Sequence, residues 1–308
     1  MVSEVLAGLD CQPDRVYVDA TVGLGGHAEA ILRQSAPTGR LIGLDQDPAN
    51  LAQARARLEP FESRFLLFHC NFNQLADILA RCRLEAVAGI VADLGLSLDQ
   101  LQVSGRGFSF GGEEVLDMRM NPADPGPTAA DLLNTLPEGE LSRIFWELGE
   151  ERYARRLAKQ VVRARQQRPF TTTRQLVQTV LQVIPSRGAS RRLHPATRVF
   201  QALRLAVNQE LERLAEFLPQ AIAALAPQGR LVVISYHSLE DRIVKHTFLQ
   251  AEREGVLQRW QKKPLRPSLA EVKANPRARS AKLRIAVKVA AGPGLVGEEV
   301  VASALVRD

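Results

Sequence analysis

Short apolar runs alternate with amphipathic stretches through the first hundred residues. Arg15–Thr21 (RVYVDAT) is a β-branched and aromatic run that predicts a strand, followed by a glycine-rich turn and a helical stretch over Glu29–Gln34. Arg40–Asp45 (RLIGLD) predicts a second strand, and Pro48–Leu58 a helix with proline in its first turn. Phe65–His69 reads as a third strand, Asn71-Phe72 opens a helical pattern that runs to Leu79, and Ala88–Asp93 (AGIVAD) is a fourth strand. Strands that are apolar throughout, separated by helices, imply a parallel sheet covered on both faces. The expected class is therefore α/β.

The next strand of this kind is Arg230–Ser235 (RLVVIS), after a helix over Val207–Leu225 and a turn at Pro227-Gln228-Gly229. About 135 residues separate the fourth and fifth strands, whereas such a crossover usually takes about 30–40. The surplus is helical in pattern over Glu138–Arg168 and Thr171–Ile184, and it opens with the turn-forming run Asn121–Thr128 (NPADPGPT). The expected organisation is a discontinuous main domain, residues 1–103 and 208–308, with an all-α domain inserted at 104–207.

Composition narrows the function. The 308 residues are 45% hydrophobic and 24% charged, as in packed globular proteins rather than disordered or collagen-like ones. The longest apolar runs, such as Ala221–Ala226 and Leu231–Ile234, fall far short of the roughly 20 residues that span a bilayer, so no membrane association is expected. The N-terminus carries Glu4 and Asp10 in place of a basic leader, which argues against a secretory signal. Cys11, Cys70 and Cys82 form no C-x-x-C pair, and the five histidines show no ligand spacing; this points to a reducing, cytoplasmic compartment and to no metal. Charge is sharply segregated. Residues 1–150 hold 11 Lys/Arg against 22 Asp/Glu, while residues 151–200 hold 12 Lys/Arg and a single acid, Glu151. Residues 251–290 add 11 cations against 3 acids. With so few acidic partners nearby, these segments are expected to meet a polyanion, and nucleic acid is the favoured one.

Candidate chemistry begins at Val18–His27 (VDATVGLGGH), a strand-to-helix turn whose glycines bring backbone amides close to a ligand. Asp45, at the end of the second strand, suits ribose hydroxyls. The G-x-G-G spacing departs from the dinucleotide pattern, and His27 stands where dinucleotide binders need a small residue. The carboxylates Asp19, Asp45, Asp47 and Asp93 suit a sulfonium cation better than a pyrophosphate. S-adenosylmethionine is therefore the expected cofactor, with a nicotinamide-dependent dehydrogenase the less favoured alternative.

Several longer segments are more specific: DLGLS (93–97), RGFSF (106–110), LDMRMNP (116–122), GEERYARRLA (149–158), HPATRVFQALRLAVNQELE (194–212), VVISYHSLEDRIVK (232–245) and NPRARSAKLR (275–284). With VDATVGLGGH, GLDQDP (43–48) and NFNQL (71–75), they resemble the bacterial 16S rRNA cytosine-N4 methyltransferases, the RsmH or MraW family, along nearly the whole chain. The resemblance implies a Rossmann-like class I S-adenosylmethionine-dependent methyltransferase sheet with a helical domain inserted after the fourth strand. It implies cofactor contact by Gly25, Gly26 and His27, ribose binding by Asp45, and further contacts from Phe72, Asp93 and Gln100. It also implies 16S rRNA in the small ribosomal subunit as partner, and the exocyclic N4 of a decoding-site cytosine as target. The chain departs from the family in reading Ser97-Leu98-Asp99 where members have Ser-Ser-Pro, and it opens at Met1-Val2-Ser3-Glu4 without their short His-Pro lead.

The exocyclic amine is a poor nucleophile, so the reaction needs in-line placement and acceptors for the amine hydrogens. Asp93, aided by Ser97, is expected between cofactor and amine. Methylation at C5 would need a thiolate beside the fourth-strand loop; Cys70 and Cys82 read instead as small core-facing residues. After the fifth strand, His237 is a candidate contact for the target nucleotide, and Ser238 is expected to cap the following helix with Asp241. Phosphate contacts are expected from Arg191, Arg192, Arg198, Arg277, Arg279, Lys282 and Arg284. Trp146 and Trp260 read as packing residues. A non-catalytic RNA-binding ribosome assembly factor that retains the fold stands as the alternative function.

Overall fold

The computed structural model describes residues 1–184 and 194–290. Helix α1 (Val2–Leu9) precedes the alternation β1 (Val16–Asp19), α2 (Gly26–Gln34), β2 (Arg40–Asp45), α3 (Pro48–Leu58), β3 (Phe65–His69), α4 (Leu75–Arg81) and β4 (Val87–Asp93). A short α5 (Leu98–Gln102) leads into α6 (Ala129–Thr135), α7 (Glu138–Glu147), α8 (Ala154–Gln167), α9 (Thr173–Val183) and α10 (Thr197–Asn208). The chain then returns through α11 (Glu210–Ala224), β5 (Leu225–Ser235), α12 (Ser238–Arg253), β6 (Leu257–Arg259), α13 (Leu269–Ala274) and β7 (Lys282–Lys288).

The seven strands lie in the order β3-β2-β1-β4-β5-β7-β6. β1 to β5 pair in parallel, β7 runs antiparallel to β5, and β6 antiparallel to β7. Alternate residues serve opposite faces, as the period of a strand requires. Val18, Ile42, Ile90 and Leu231 pack under α4, α11 and α12, while Tyr17, Leu41, Val91 and Val232 pack under α1, α2 and α3. Strand order reverses between β1 and β4, so their carboxyl ends open a crevice of the kind that takes ligands in such sheets.

A further apolar cluster, drawn from residues 108–207, includes Phe145, Leu157, Val161, Leu176, Val180 and Leu203. The helical run expected over Glu138–Arg168 is broken between α7 and α8. Gly149 packs against neighbouring backbone so closely that a Cβ there would stand 2.7 Å from the Phe145 carbonyl and 2.8 Å from that of Arg198, and Glu150 follows at φ 49°. The helix expected over Val207–Leu225 begins three residues later, after a left-handed Gln209 at φ 50°. The break sets Asn208 in place: its side chain donates to the Met118 carbonyl at 2.8 Å and accepts from the Met120 amide at 2.8 Å, pinning the Asp117–Met120 loop to α10. The expected turn at Pro227-Gln228-Gly229 lies inside β5, which pairs at Leu225 with Val87, loses register, and resumes at Arg230 opposite Gly89. Helix α1 has no counterpart in the periodicity reading, yet its Val5 and Leu9 are buried.

Candidate active site

At the carboxyl ends of β1, β2, β4 and β5 lies a cleft of about 480 Å³, within the usual range for small-molecule sites. Its floor is the turn between β1 and α2. Gly25 sits at φ 82° as the N-cap of α2, and a Cβ there would meet the Ala54 Cα at 3.3 Å, so only glycine lets the chain pass. The Gly23 amide donates to Asp45 Oδ2 at 2.8 Å and the Asp47 amide to Asp45 Oδ1 at 2.8 Å. These bonds aim the Asp45 carboxylate from the end of β2 into the cleft. Burial pushes its carboxyl up to about 6. Asp19, at the end of β1, is fully buried, and burial pushes its carboxyl up to about 7. Its Oδ1 accepts from the Thr21 amide at 3.2 Å, while Oδ2 has no partner.

Asp93 closes the other side. Its amide donates to Thr21 Oγ1 at 2.6 Å, which locks the end of β4 to the β1 turn. Tyr236, the first residue past β5, donates its hydroxyl to Asp93 Oδ1 at 2.9 Å, and His27 Nε2 stands 3.3 Å from Oδ2. Burial alone would lower the His27 imidazole, but its hydrogen bond to Asp93 and the charges of Asp93 and Asp19 carry it upward instead. Burial and the Asp93 charge push the Tyr236 phenol up, so it stays a donor. His27 Nδ1 is buried without a partner. His237 is the contact expected after β5, yet it is Tyr236, at the tip of the strand next to β4, that reaches Asp93.

Other expected contacts have different placements. Phe72 lines the cleft edge-to-face against Phe217, with centroids 5.1 Å apart. Gln100 also reaches the cleft wall, but its side chain is committed: Oε1 accepts from the Ser97 amide at 3.0 Å and Nε2 donates to Asp47 Oδ2 at 2.9 Å. The Ser97 hydroxyl is equally engaged, capping α5 through the Gln100 amide and donating to Asn50 Oδ1 at 2.9 Å. Both residues build the wall rather than offer free groups. His237, not Ser238, is the N-cap of α12, in a reciprocal pairing with Glu240. Its Nε2 lies 3.1 Å from Glu240 Oε1 at an angle that makes no hydrogen bond. Ser238 instead donates to Glu150 Oε2 at 2.7 Å.

Asp241 does not support that cap either; it accepts from Lys282 Nζ at 2.9 Å and from Arg284 Nε at 2.7 Å. Arg284 is buried in this pairing and presents nothing to a phosphate. Arg277 and Arg279 are exposed on a turn whose Asn275 and Ala278 line the cleft. Arg198 is exposed, with one guanidinium nitrogen 3.1 Å from the Glu150 carbonyl. Arg191 and Arg192 lie outside the described residues. Trp146 and Trp260, expected to pack, are 61% and 50% exposed.

Burial pushes the Cys11 thiol up to about 12 and that of Cys70 up to about 11, leaving neither as a ready thiolate. Among the described residues no group of three or more His, Cys, Asp and Glu side chains is placed to hold a metal ion. No helix among them is long and apolar enough to cross a membrane.

The ribosomal RNA small subunit methyltransferase H of Heliobacterium mobile is 46% identical over 305 residues, covering 94% of this chain and 97% of its own. The protein of the same name from Syntrophobacter fumaroxidans is 47% identical over 303 residues, covering 94% and 95%. Among solved structures, a putative rRNA methylase from Clostridium thermocellum aligns at 12% identity over 94% of this chain and 95% of that one, with a TM-score of 0.46. A sheet with a glycine turn at β1, a carboxylate at the tip of β2 and a doubly held aspartate at the tip of β4 is thus found in a chain whose residues 1–289 match the model of the MraW methylases, and the protein belongs to the MraW methylase family.

Proposed function

We propose that the protein transfers a methyl group from S-adenosylmethionine to the exocyclic N4 of a cytosine in small-subunit rRNA, at the decoding site. The single observation that carries this reading is Asp93: a carboxylate at the switch point of the sheet, with Tyr236 bonded to Oδ1 and His27 against Oδ2, facing the cleft that Gly26 and Asp45 also line. The relatives' names supply the small-subunit rRNA as substrate.

The residues fit the cofactor. Asp19 Oδ2 and His27 Nδ1 are buried polar atoms without partners beside the cleft, and the carboxylates of Asp19, Asp45 and Asp93 make a surround suited to a cation. When bound, S-adenosylmethionine supplies an electrophilic methyl group on a sulfonium. Asp45 would accept ribose hydroxyls, and the edge of the Phe72 ring would lie against the base. A carboxylate has about four acceptor sites, so after the bonds from Tyr236 and His27 Asp93 keeps capacity for an amine hydrogen. Drawing on that N–H turns the delocalised lone pair of the amine toward the methyl carbon. The proton released on transfer passes to Asp93. Residues 104–207 are assigned to substrate recognition, and Arg277 and Arg279 on the cleft rim to phosphates.

A non-catalytic assembly factor is the second reading, and the intact constellation of Gly25, Asp45 and Asp93 counts against it. Small subunits incubated with the protein and a tritium-labelled methyl donor separate the two. Label in the rRNA supports the enzyme; tight binding to subunits with no label in the rRNA supports the assembly factor.

A further inference from the structure

The cations that sequence reading assigned to phosphate are partly spent: Lys282 and Arg284 are bound to Asp241. Another run of cations lies elsewhere. Helix α8 (ARRLAKQVVRARQQ) contains no acidic residue at all. At about 100° per residue, Arg155, Lys159, Arg163 and Arg156 fall within one arc of about 100°. The opposite arc carries the buried Ala154, Leu157, Ala158 and Val161. All four cations are exposed. Several acids of α7 and its following loop are engaged elsewhere: Glu140 pairs with Arg143, Glu150 with Arg242 and Ser238, and the Glu151 carboxylate accepts from the Tyr153 amide, while Glu138 and Glu147 make no ion pair among the described residues. No ion pair to any of the four exists among the described residues. The Arg156 guanidinium instead stands over the Tyr153 ring, 5.6 Å from its centroid.

Two further observations give this face a direction and a ligand. Glu150, four residues before α8, holds Ser238 in the first turn of α12, directly after the β5 tip that carries Tyr236. The basic helix therefore starts at the rim of the cleft and runs about 20 Å away from that start, at 1.5 Å per residue. Beside it, on the last turn of α7, stands Trp146, 61% exposed. Unpaired cations along one helix and an exposed indole on the helix packed against it match a nucleic-acid strand, whose phosphates take the charges and whose bases stack on rings.

We propose that the exposed face of α8, with Trp146, is the docking surface for the sugar-phosphate backbone of the rRNA that flanks the target base. This rests on the rRNA reading above and adds the place where the strand is held. The occupant is RNA rather than an acidic protein, because the face pairs regularly spaced charge with an aromatic platform.

The test uses the full chain carrying R155Q/K159Q/R163Q, since glutamine keeps helix propensity, and R155K/R163K as a charge-preserving control. Binding to small-subunit rRNA transcribed in vitro is measured by fluorescence anisotropy across salt concentrations, and S-adenosylhomocysteine binding by calorimetry. The expected result is a loss of at least about tenfold in rRNA affinity for the glutamine variant, with the salt slope shallower by about 2. S-adenosylhomocysteine affinity should be unchanged, and the lysine control should bind like the unsubstituted protein. Unchanged affinity and slope in the glutamine variant, against steep salt dependence in the unsubstituted protein, would overturn the assignment of α8 alone. Failure of the unsubstituted protein to bind rRNA would overturn the rRNA reading with it. Loss of binding to assembled subunits but not to free rRNA would mean that a protein covers this face.

Discussion

Asp93 owes its aim to two side chains from distant parts of the chain. Tyr236 fixes Oδ1 and His27 fixes the position of Oδ2. A buried hydrogen bond to a charged group is worth about 1.5–3 kcal/mol, and about 1.4 kcal/mol is tenfold in rate. Tyr236→Phe should therefore lower kcat about tenfold or more while S-adenosylhomocysteine affinity changes little; calorimetry beside steady-state kinetics checks the split. The buried carboxylates set a pH dependence. Burial holds Asp19 up to about 7 and Asp45 up to about 6, so both are partly protonated in the free protein near neutrality. A cation favours their ionised forms, so binding releases protons and donor affinity rises as pH increases through 6 and 7. Titration of S-adenosylmethionine at pH 5.5 and 7.5 should show tighter binding at the higher pH, and a flat profile would contradict the burial of these groups. The same shifts act oppositely on the unliganded fold. The folded state keeps protons that the unfolded chain has lost above about 4, so stability falls as pH rises from there to about 7.

Elements around the cleft are held by polar contacts that link distant turns. Asp47 caps α3 through the Ala49 amide, accepts from Gln100 Nε2 at the start of α5, and receives the Arg106 guanidinium. Arg106 also donates to the carbonyls of Arg119 and Met120 at 3.1 and 2.7 Å. Since Asp47 is buried, Arg106→Ala leaves a charge without its partner and should destabilise the fold by about 3 kcal/mol, read from chemical denaturation. These links mark where sequence reading succeeds and where it stops. β2, β3 and α3 were legible to the residue because apolar runs and Pro48 announce them locally. The break at Gly149 was not, because it answers to the Arg198 carbonyl on another helix. The Gln209 break likewise serves contacts of Asn208 with Met118 and Met120, ninety residues away in sequence. The cap of α12 was misassigned by one residue because Ser238 is the commoner cap, whereas here its hydroxyl is drawn off to Glu150.

Across the whole molecule, charge is divided between acidic residues 1–150 and basic segments after residue 150. The glycine turn, Asp45 and Asp93 were legible because each sits at the end of a strand whose pattern is plain. The cations were legible as a sum but not as a surface: which are free depends on partners such as Asp241, brought to Lys282 and Arg284 only by the pairing of β5 with β7. In the proposed reaction Asp93, held between Tyr236 and His27, directs a methyl group onto an exocyclic amine of small-subunit rRNA. The most direct test is nucleoside mass spectrometry of small subunits incubated with deuteromethyl-labelled S-adenosylmethionine and either the unsubstituted protein or Asp93→Ala. We predict labelled N4-methylcytidine with the unsubstituted protein, and loss of at least about a hundredfold of that product with Asp93→Ala despite retained S-adenosylhomocysteine binding. Label on a ring carbon or on ribose, or full turnover by the Asp93→Ala protein, would contradict it.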